Sequence, residues 1–74
     1  MDNSKYFVFC MEKGKARVMI VKIFKISTAE MWVIPNKNNL ISFIETEINT
    51  PIPRKLTINQ LVKYLPVENY YRTK

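Results

Sequence analysis

The sequence has no histidine, a single cysteine and a single glycine among its 74 residues. Without histidine, the usual base that activates a serine or cysteine nucleophile is absent. One cysteine cannot close an internal disulfide, and without histidine it cannot complete a structural zinc site. A phosphate-binding loop needs several glycines, so a nucleotide fingerprint is excluded as well. We therefore predict a protein that is not an enzyme and binds neither a metal nor a small-molecule cofactor.

Long apolar runs are also missing. The run from Tyr6 to Met11 is shorter than the roughly 7–15 residues of a signal-peptide core and far below the ~20 residues of a membrane helix. Cys10 lies within this run, where we expect it to pack, and a lone thiol fits a reducing compartment. The sequence thus predicts a soluble, cytoplasmic protein with no membrane partner. Its richness in Ile, Lys and Asn, all favoured by AT-rich codons, is typical of a phage, an archaeal virus or a low-GC bacterium.

The chain is short but apolar enough to fold, because 47% of its residues are hydrophobic. We expect one small domain over residues 1–74. A domain of this size buries only about 60% of the surface that its unfolded chain exposes, so it is marginally stable alone. Since neither a disulfide nor a zinc ion can reinforce it, we expect a homo-oligomer, most simply a dimer.

Three segments have the composition of β-strands. Lys5–Met11 and Ala16–Ile26 are rich in β-branched and aromatic residues, and they flank a short connection that holds the one glycine, which predicts a long hairpin. The second of these strands is so long that it must bend, carry a bulge or project. Both of its faces are mostly apolar, which is typical of a strand covered on both sides, and a second copy of the chain is one candidate for the second cover. Ala29–Ile34 reads as a third strand, ended by a proline.

A first helix is predicted over about residues 39–49, capped by the asparagines that precede it. Its apolar residues fall within an arc of about 160°, so one side packs on the sheet. Glu47 lies inside this arc: either its side chain reaches out to solvent from the last turn, or it is buried in a pair with a lysine. Glu45 lies about 200° around the helix from Glu47, so the two cannot serve as paired catalytic carboxylates.

A second helix is predicted over residues 57–65. Thr57 and Gln60 form a capping box, and Leu56 and Leu61 are placed as its hydrophobic staple. Residues 68–74 show no period, so we expect either a flexible tail or one whose tyrosines fold back over the core. The predicted fold is therefore α+β: a three-stranded antiparallel sheet, made of the long β-hairpin and the third strand, covered by two C-terminal helices in the order β-β-β-α-α.

The stretch from Leu56 to Val67 resembles the first helix of excisionase and MerR-type winged-helix DNA-binding domains. The resemblance covers 12 of 74 residues, and Val62 and Pro66 stand where that family prefers a small residue and a glycine. The family would imply binding in the DNA major groove through a following recognition helix. Only seven residues follow Val67, which leaves no room for such a helix.

Charge is the most informative feature. Twelve Lys and Arg against six Asp and Glu give a net charge of +6. Residues 1–27 carry six bases and two acids, and residues 51–74 carry five bases and one acid, whereas the segment between them is mildly acidic. The predicted partner-binding residues lie in these two basic segments: Lys13, Lys15, Arg17, Arg54, Lys55, Tyr70, Tyr71, Arg72 and Lys74.

Each group of candidates has two interpretations. Lys13 and Lys15 at the hairpin tip either contact an anion or discourage strand-to-strand aggregation. Arg54 and Lys55 oppose the dipole of the helix that follows, so helix stability does not require them, and a phosphate there would meet both the dipole and the side chains. The tyrosines of the tail either stack on bases or cover the core.

The sequence therefore leads to two functional hypotheses. The first is a non-enzymatic basic module that binds nucleic acid, or a nucleoprotein complex that handles it, as a regulator or inhibitor of a host machine. The second is a purely protein-binding or structural module, such as a homodimer that acts through an apolar strand surface, in which the charge only provides solubility.

Overall fold

The computed structural model describes residues 4–11, 17–25 and 28–72, and they form an α+β fold. A four-stranded sheet carries two helices. The elements in chain order are β1 (Lys5–Cys10), β2 (Val18–Lys25), β3 (Thr28–Ile34), α1 (Lys37–Ile48), α2 (Ile58–Val62) and β4 (Val67–Tyr71).

The sheet has the strand order β3-β2-β1-β4. The pairs β1–β2 and β2–β3 are antiparallel, as predicted, but β4 runs parallel to β1 at the opposite edge from β3. The expectation of a three-stranded antiparallel sheet in the order β-β-β-α-α is therefore wrong in this detail. Both helices lie in the connection from β3 to β4, and a crossover of that length lets the chain return in the parallel direction.

The hairpin strands pair up to the edge of the described residues, where the Met11 amide donates to the Arg17 carbonyl at 3.0 Å. The predicted glycine turn lies outside the described residues. Strand β2 is shorter in the described residues than the eleven predicted, with eight residues, Val18–Lys25. Its register against β3 shifts between Ile23 and Lys25, an irregularity of the kind expected for a long strand.

Helix α1 begins two residues earlier than predicted because Asn36 is its N-cap, accepting a hydrogen bond from the Asn39 amide at 2.9 Å. Its C-cap is Asn49, whose φ of 56° is left-handed, a conformation that asparagine tolerates better than most residues. Helix α2 has the predicted capping box between Thr57 and Gln60. It ends at Val62, earlier than predicted, and is followed by β4 where the winged-helix resemblance would require a recognition helix.

The core lies between the helices and one face of the sheet. Since side chains alternate along a strand, Tyr6, Val8, Val18 and Ile20 share this face, and all four are buried. Leu40, Ile41 and Ile44 of α1 and Leu61, Val62 and Leu65 of the α2 segment are buried in the same hydrophobic cluster. The molecule measures 32 × 30 × 16 Å along its principal axes. The shortest dimension has room for the sheet and one layer of helices. The described helices thus cover one face of the sheet and leave the other uncovered.

Candidate functional site

The uncovered side of the sheet is mostly apolar, although Lys5 of β1 and Asn69 of β4, which pair with Ile23 and Phe7, also lie on it. The strand register places residues from each strand on it side by side, for example Phe9 between Met19 and Tyr71. We call this surface the open face. It is formed by Phe7 and Phe9 of β1, Met19, Val21 and Ile23 of β2, Ala29, Met31 and Val33 of β3, and Tyr71 of β4.

Exposure on the open face is greatest at its two edges. Met31 and Val33 on β3 are 64% and 51% exposed, and Tyr71 on β4 is 46% exposed. The central strands β1 and β2 contribute side chains that are only partly buried, although they lie in the middle of the sheet. Four strands spaced by about 4.8 Å, each about six residues long, make an apolar patch of about 400 Å². That is within the range of the largest apolar patch on a typical monomer, about 300–600 Å², and such patches are often functional.

The edge strand β4 is held to the open face by aromatic stacking. The rings of Phe9 and Tyr71 have centroids 4.7 Å apart and planes only 12° from parallel. Charged side chains lie at the margins of this surface: Lys5 is in an ion pair with Glu68 at 3.8 Å, and Lys25 is exposed at the end of β2. The centre of the open face therefore offers dispersion and hydrophobic contacts and no charge.

On the covered face of the sheet, the side chains of Tyr6, Lys22 and Glu47 form a partly buried polar cluster. Glu47 accepts hydrogen bonds from the Tyr6 hydroxyl and from the Lys22 ammonium, the latter at 3.0 Å. The Lys22 and Glu47 side chains are only 14% and 16% exposed. Of the two alternatives that the helical arc left open for Glu47, the structure has the buried pair with a lysine.

The environment of this cluster shifts two pKa values. Burial, together with the hydrogen bond to Glu47, raises the pKa of Tyr6 to about 12, because both favour the protonated hydroxyl. For Lys22, burial alone would lower the pKa, but hydrogen bonds to Glu47 and Tyr6 outweigh it and the net shift is upward. The ammonium also lies 4.7 Å from the ring centre of Phe24. At neutral pH the Tyr6 hydroxyl and the Lys22 ammonium of this cluster are therefore both protonated.

The predicted basic residues divide into those that the structure describes and those that it does not. Lys13, Lys15 and Lys74 lie outside the described residues. Arg17 is exposed immediately before β2, and the pairings of Cys10 with Val18 and of Phe9 with Tyr71 place it at the same end of the sheet as Arg72.

The two basic residues predicted to bind an anion before α2, Arg54 and Lys55, differ in their contacts. The Arg54 guanidinium lies 3.4 Å from Glu45 of α1, whose other oxygen accepts a hydrogen bond from the Ile52 amide. Lys55, beside it, is exposed. Glu45 and Glu47 thus face different partners, as their positions on the helix predicted.

The two tyrosines of β4 point to opposite faces of the sheet. Tyr70 pairs in register with Val8 and lies on the helix side, whereas Tyr71 pairs with Phe9 on the open face. They therefore cannot stack on neighbouring bases at one surface. The Arg72 guanidinium lies 5.1 Å from the ring centre of Tyr70, on the helix side.

A groove lies on the helix side between α2 and β4, with a volume of about 460 Å³. We call it the α2–β4 groove. Its lining combines apolar side chains with an amide, two cations and a tyrosine: Val62, Leu65, Val67, Asn59, Lys63, Arg72 and Tyr70. Lys63 and Asn59 were not among the predicted site residues. Burial, and to a smaller extent the nearby Cys10, raises the pKa of Tyr70, so its hydroxyl stays protonated at neutral pH.

The cations of this groove are not engaged by acids of the described residues. Lys63 and Arg72 lie beyond ion-pair distance of every described carboxylate, in contrast to Lys5, Lys22 and Arg54. No three of the described Cys, Asp and Glu residues are grouped closely enough to hold a metal ion. None of the described helices is long and apolar enough to cross a membrane.

Comparisons with known protein families, with curated proteins and with solved structures give no match to this chain.

Proposed function

We propose that this protein is a small non-enzymatic binding module that works as a homodimer, with the open faces of two copies packed against each other. The observation that carries the proposal is the set of apolar side chains contributed by all four strands to a sheet face that the described helices leave uncovered. Antiparallel sheets with one solvated face alternate apolar and polar residues along each strand, whereas here β2 is apolar toward both sides. Such a pattern favours a protein cover on the second face.

The area available is that of an ordinary interface. The broad side of the molecule measures 32 by 30 Å, an ellipse of about 750 Å², and a standard-size interface takes about 800 Å² from each partner. The apolar patch, about 400 Å² per copy, lies within this area, and its burial by a second copy would supply the hydrophobic contribution to association.

A second copy suits this surface because the contact is self-complementary. In a twofold dimer the same patch faces itself, and an uncharged centre meets no unpaired charge from its partner. Lys25 at the margin would bring like charges to the rim, whereas Lys5 is paired with Glu68. Since salt screens such repulsion, self-association should strengthen as ionic strength rises, whereas binding to an acidic partner would weaken.

Size-exclusion chromatography coupled to light scattering tests the proposal. The native chain should have twice its 8.8 kDa monomer mass at micromolar concentration. Met31→Lys combined with Val33→Lys should give a monomer, because a buried charge in the interface is costly; both positions are exposed, so the fold tolerates the change. Tyr64→Lys is the matched control, since Tyr64 is 42% exposed and lies beyond α2 on the helix side. A native monomer at all concentrations, or a dimer that survives both lysines, would refute the proposal.

A second function, nucleic-acid binding, is favoured by the groove between α2 and β4. Two cations without described acidic partners line it, and the chain carries a net charge of +6. We propose a cytoplasmic regulator or inhibitor that contacts nucleic acid or a nucleoprotein complex, as the charge distribution suggests. If about five cations touch phosphates of duplex DNA, the logarithm of the affinity should fall with the logarithm of salt concentration at a slope near −4.5. A gel-shift titration at two salt concentrations measures this slope, and an absence of binding at low salt would reject direct contact.

A further inference from the structure

We infer that the α2–β4 groove is a binding site for single-stranded nucleic acid, in which Lys63 and Arg72 hold the phosphate backbone and the apolar floor receives a base. This inference rests on the second proposed function, nucleic-acid binding, and is independent of the association through the open face. The groove has the concave shape and, at about 460 Å³, the size of a site for a small organic unit.

The lining matches a nucleotide in two separate parts. Val62, Leu65 and Val67 supply an apolar floor, which suits the face of a base. Lys63 and Arg72 supply positive charge at the same groove, which suits a phosphate. Asn59 adds an amide that both donates and accepts hydrogen bonds, as recognition of an exposed base edge requires.

Arg72 is prepared for this role by its position on Tyr70. The guanidinium lies 5.1 Å from the ring centre, within cation–π distance, so the aromatic ring helps to hold the arginine at the groove. Bases of single-stranded RNA and DNA stack on guanidinium planes as well as on aromatic rings, while the N–H groups at the edge of the guanidinium remain able to bind phosphate. Of the two alternatives for the tail tyrosines, stacking on a base or covering the core, Tyr70 packs against the core, and it acts here by supporting the arginine.

Single strands fit the groove better than a duplex does. Duplex readers insert a helix or a β-ribbon into the major groove, whereas here α2 has five residues and is followed directly by β4. A concave groove of this size takes one unpaired nucleotide, which a duplex does not present. The groove also lies on the helix side of the sheet, so covering the open face would leave it accessible.

The test compares two charge-matched double variants by fluorescence anisotropy with a labelled single-stranded oligonucleotide of mixed sequence. Lys63→Gln with Arg72→Gln removes both groove cations; Lys25→Gln with Lys37→Gln removes two cations outside the groove. At about 50 mM salt the groove variant should bind at least about tenfold more weakly than the native chain, and its salt slope should be smaller by about 1.4, at about 0.7 per phosphate contact. The control variant should bind less than about threefold more weakly than the native chain, which is half of the tenfold effect on a logarithmic scale.

The outcomes separate the inference from the proposal on which it rests. If the native chain binds and the two variants lose affinity equally, the groove assignment is wrong, although nucleic-acid binding stands. If the native chain does not bind any single strand at low salt, both are wrong. An unlabelled duplex of the same sequence, used as competitor, should displace the probe less effectively than the unlabelled single strand, and the reverse order would overturn the preference for single strands. Circular dichroism of each variant confirms that the fold is retained.

Discussion

The buried pair of Lys22 and Glu47 provides a sharp test of the energetics of this fold. Glu47→Gln keeps the shape of the side chain and its ability to accept a hydrogen bond, but it leaves the Lys22 ammonium without a counter-charge. Lys22→Met keeps the aliphatic stem and leaves the carboxylate with only the Tyr6 hydroxyl as donor. The double variant removes both charges at once. The three variants therefore complete a double-mutant cycle around one interaction.

The expected magnitude follows from burial. With side chains only 14% and 16% exposed, the pair is poorly screened by water. Removing one partner of a buried pair costs about 3–5 kcal/mol, chiefly because the other charge stays buried and unpaired. Because the pair is only partly buried, we expect about 1.5–3 kcal/mol for each single variant, the range for a hydrogen bond to a charged group, from a total stability of about 4–11 kcal/mol for a chain of this length. The double variant should be no less stable than either single one, which gives a coupling energy of about 1.5–3 kcal/mol.

Urea denaturation at a fixed protein concentration measures these differences. Trp32 is the single tryptophan of the chain and packs edge-on against Phe43 of α1 at 4.9 Å, so its fluorescence should report the loss of the sheet–helix contact. Lys5→Gln is the control, because it breaks an ion pair whose side chains are 63% and 51% exposed, and should change stability by less than about 0.5 kcal/mol. If Glu47→Gln were equally mild, or if the double variant lost the sum of the single effects, the reasoning from burial would be refuted.

Three further predictions concern single positions. Because the pKa of Tyr6 is raised from 10.0 to about 12, its stabilising contribution is complete below the lower value and is lost as pH rises through the higher one. Urea denaturation at pH values on either side of this range measures the loss. Across the range, the free energy of unfolding of the native chain should fall by up to about 3 kcal/mol more than that of Tyr6→Phe. Thr57→Ala removes the capping box and should cost about 1 kcal/mol by thermal unfolding, whereas Thr57→Ser should cost much less. Asn49, at a φ of 56°, should accept glycine without loss but should lose about 1 kcal/mol or more with valine; equal melting temperatures for these two would contradict the left-handed conformation.

The sequence predicted most of the fold because the relevant signals are local. The hairpin, the third strand and the capping box each depend on residues within a few positions of one another. Strand β4 was missed because its register against β1 shifts between Tyr6 and Phe7. As a result Val67 and Tyr70 both pair with residues of the helix face, although they are three positions apart and not two or four. That irregularity removes the alternation by which a strand is recognised. Parallel pairing across two helices leaves no local signal either.

The candidate site was predictable only in part, for a different reason. Composition gives the number of cations but not which of them a carboxylate engages, and Glu45 binds Arg54 across a loop that the sequence does not position. Lys63 was overlooked because it reads as the exposed side of a helix, whereas the chain turns there and places it beside Arg72. The open face did have a signal, namely the apolar character of both sides of β2.

The open face and the α2–β4 groove lie on opposite sides of the sheet. Dimerisation through the open face can therefore affect binding in the groove only by fixing where the two grooves of the dimer lie. A dimer joined through the open faces would present two α2–β4 grooves on its outer sides, one from each copy. A strand long enough to reach both grooves would then bind more tightly than a short one, since the second contact is made at a high effective concentration. A short oligonucleotide engages one groove and gains nothing from the second copy. Met31→Gln with Val33→Gln, which adds no positive charge, should therefore weaken binding of long strands and leave the affinity for short ones unchanged. Equal losses for both lengths would mean that the open face itself contacts the nucleic acid, and the separation of roles between the two sides of the sheet would have to be abandoned.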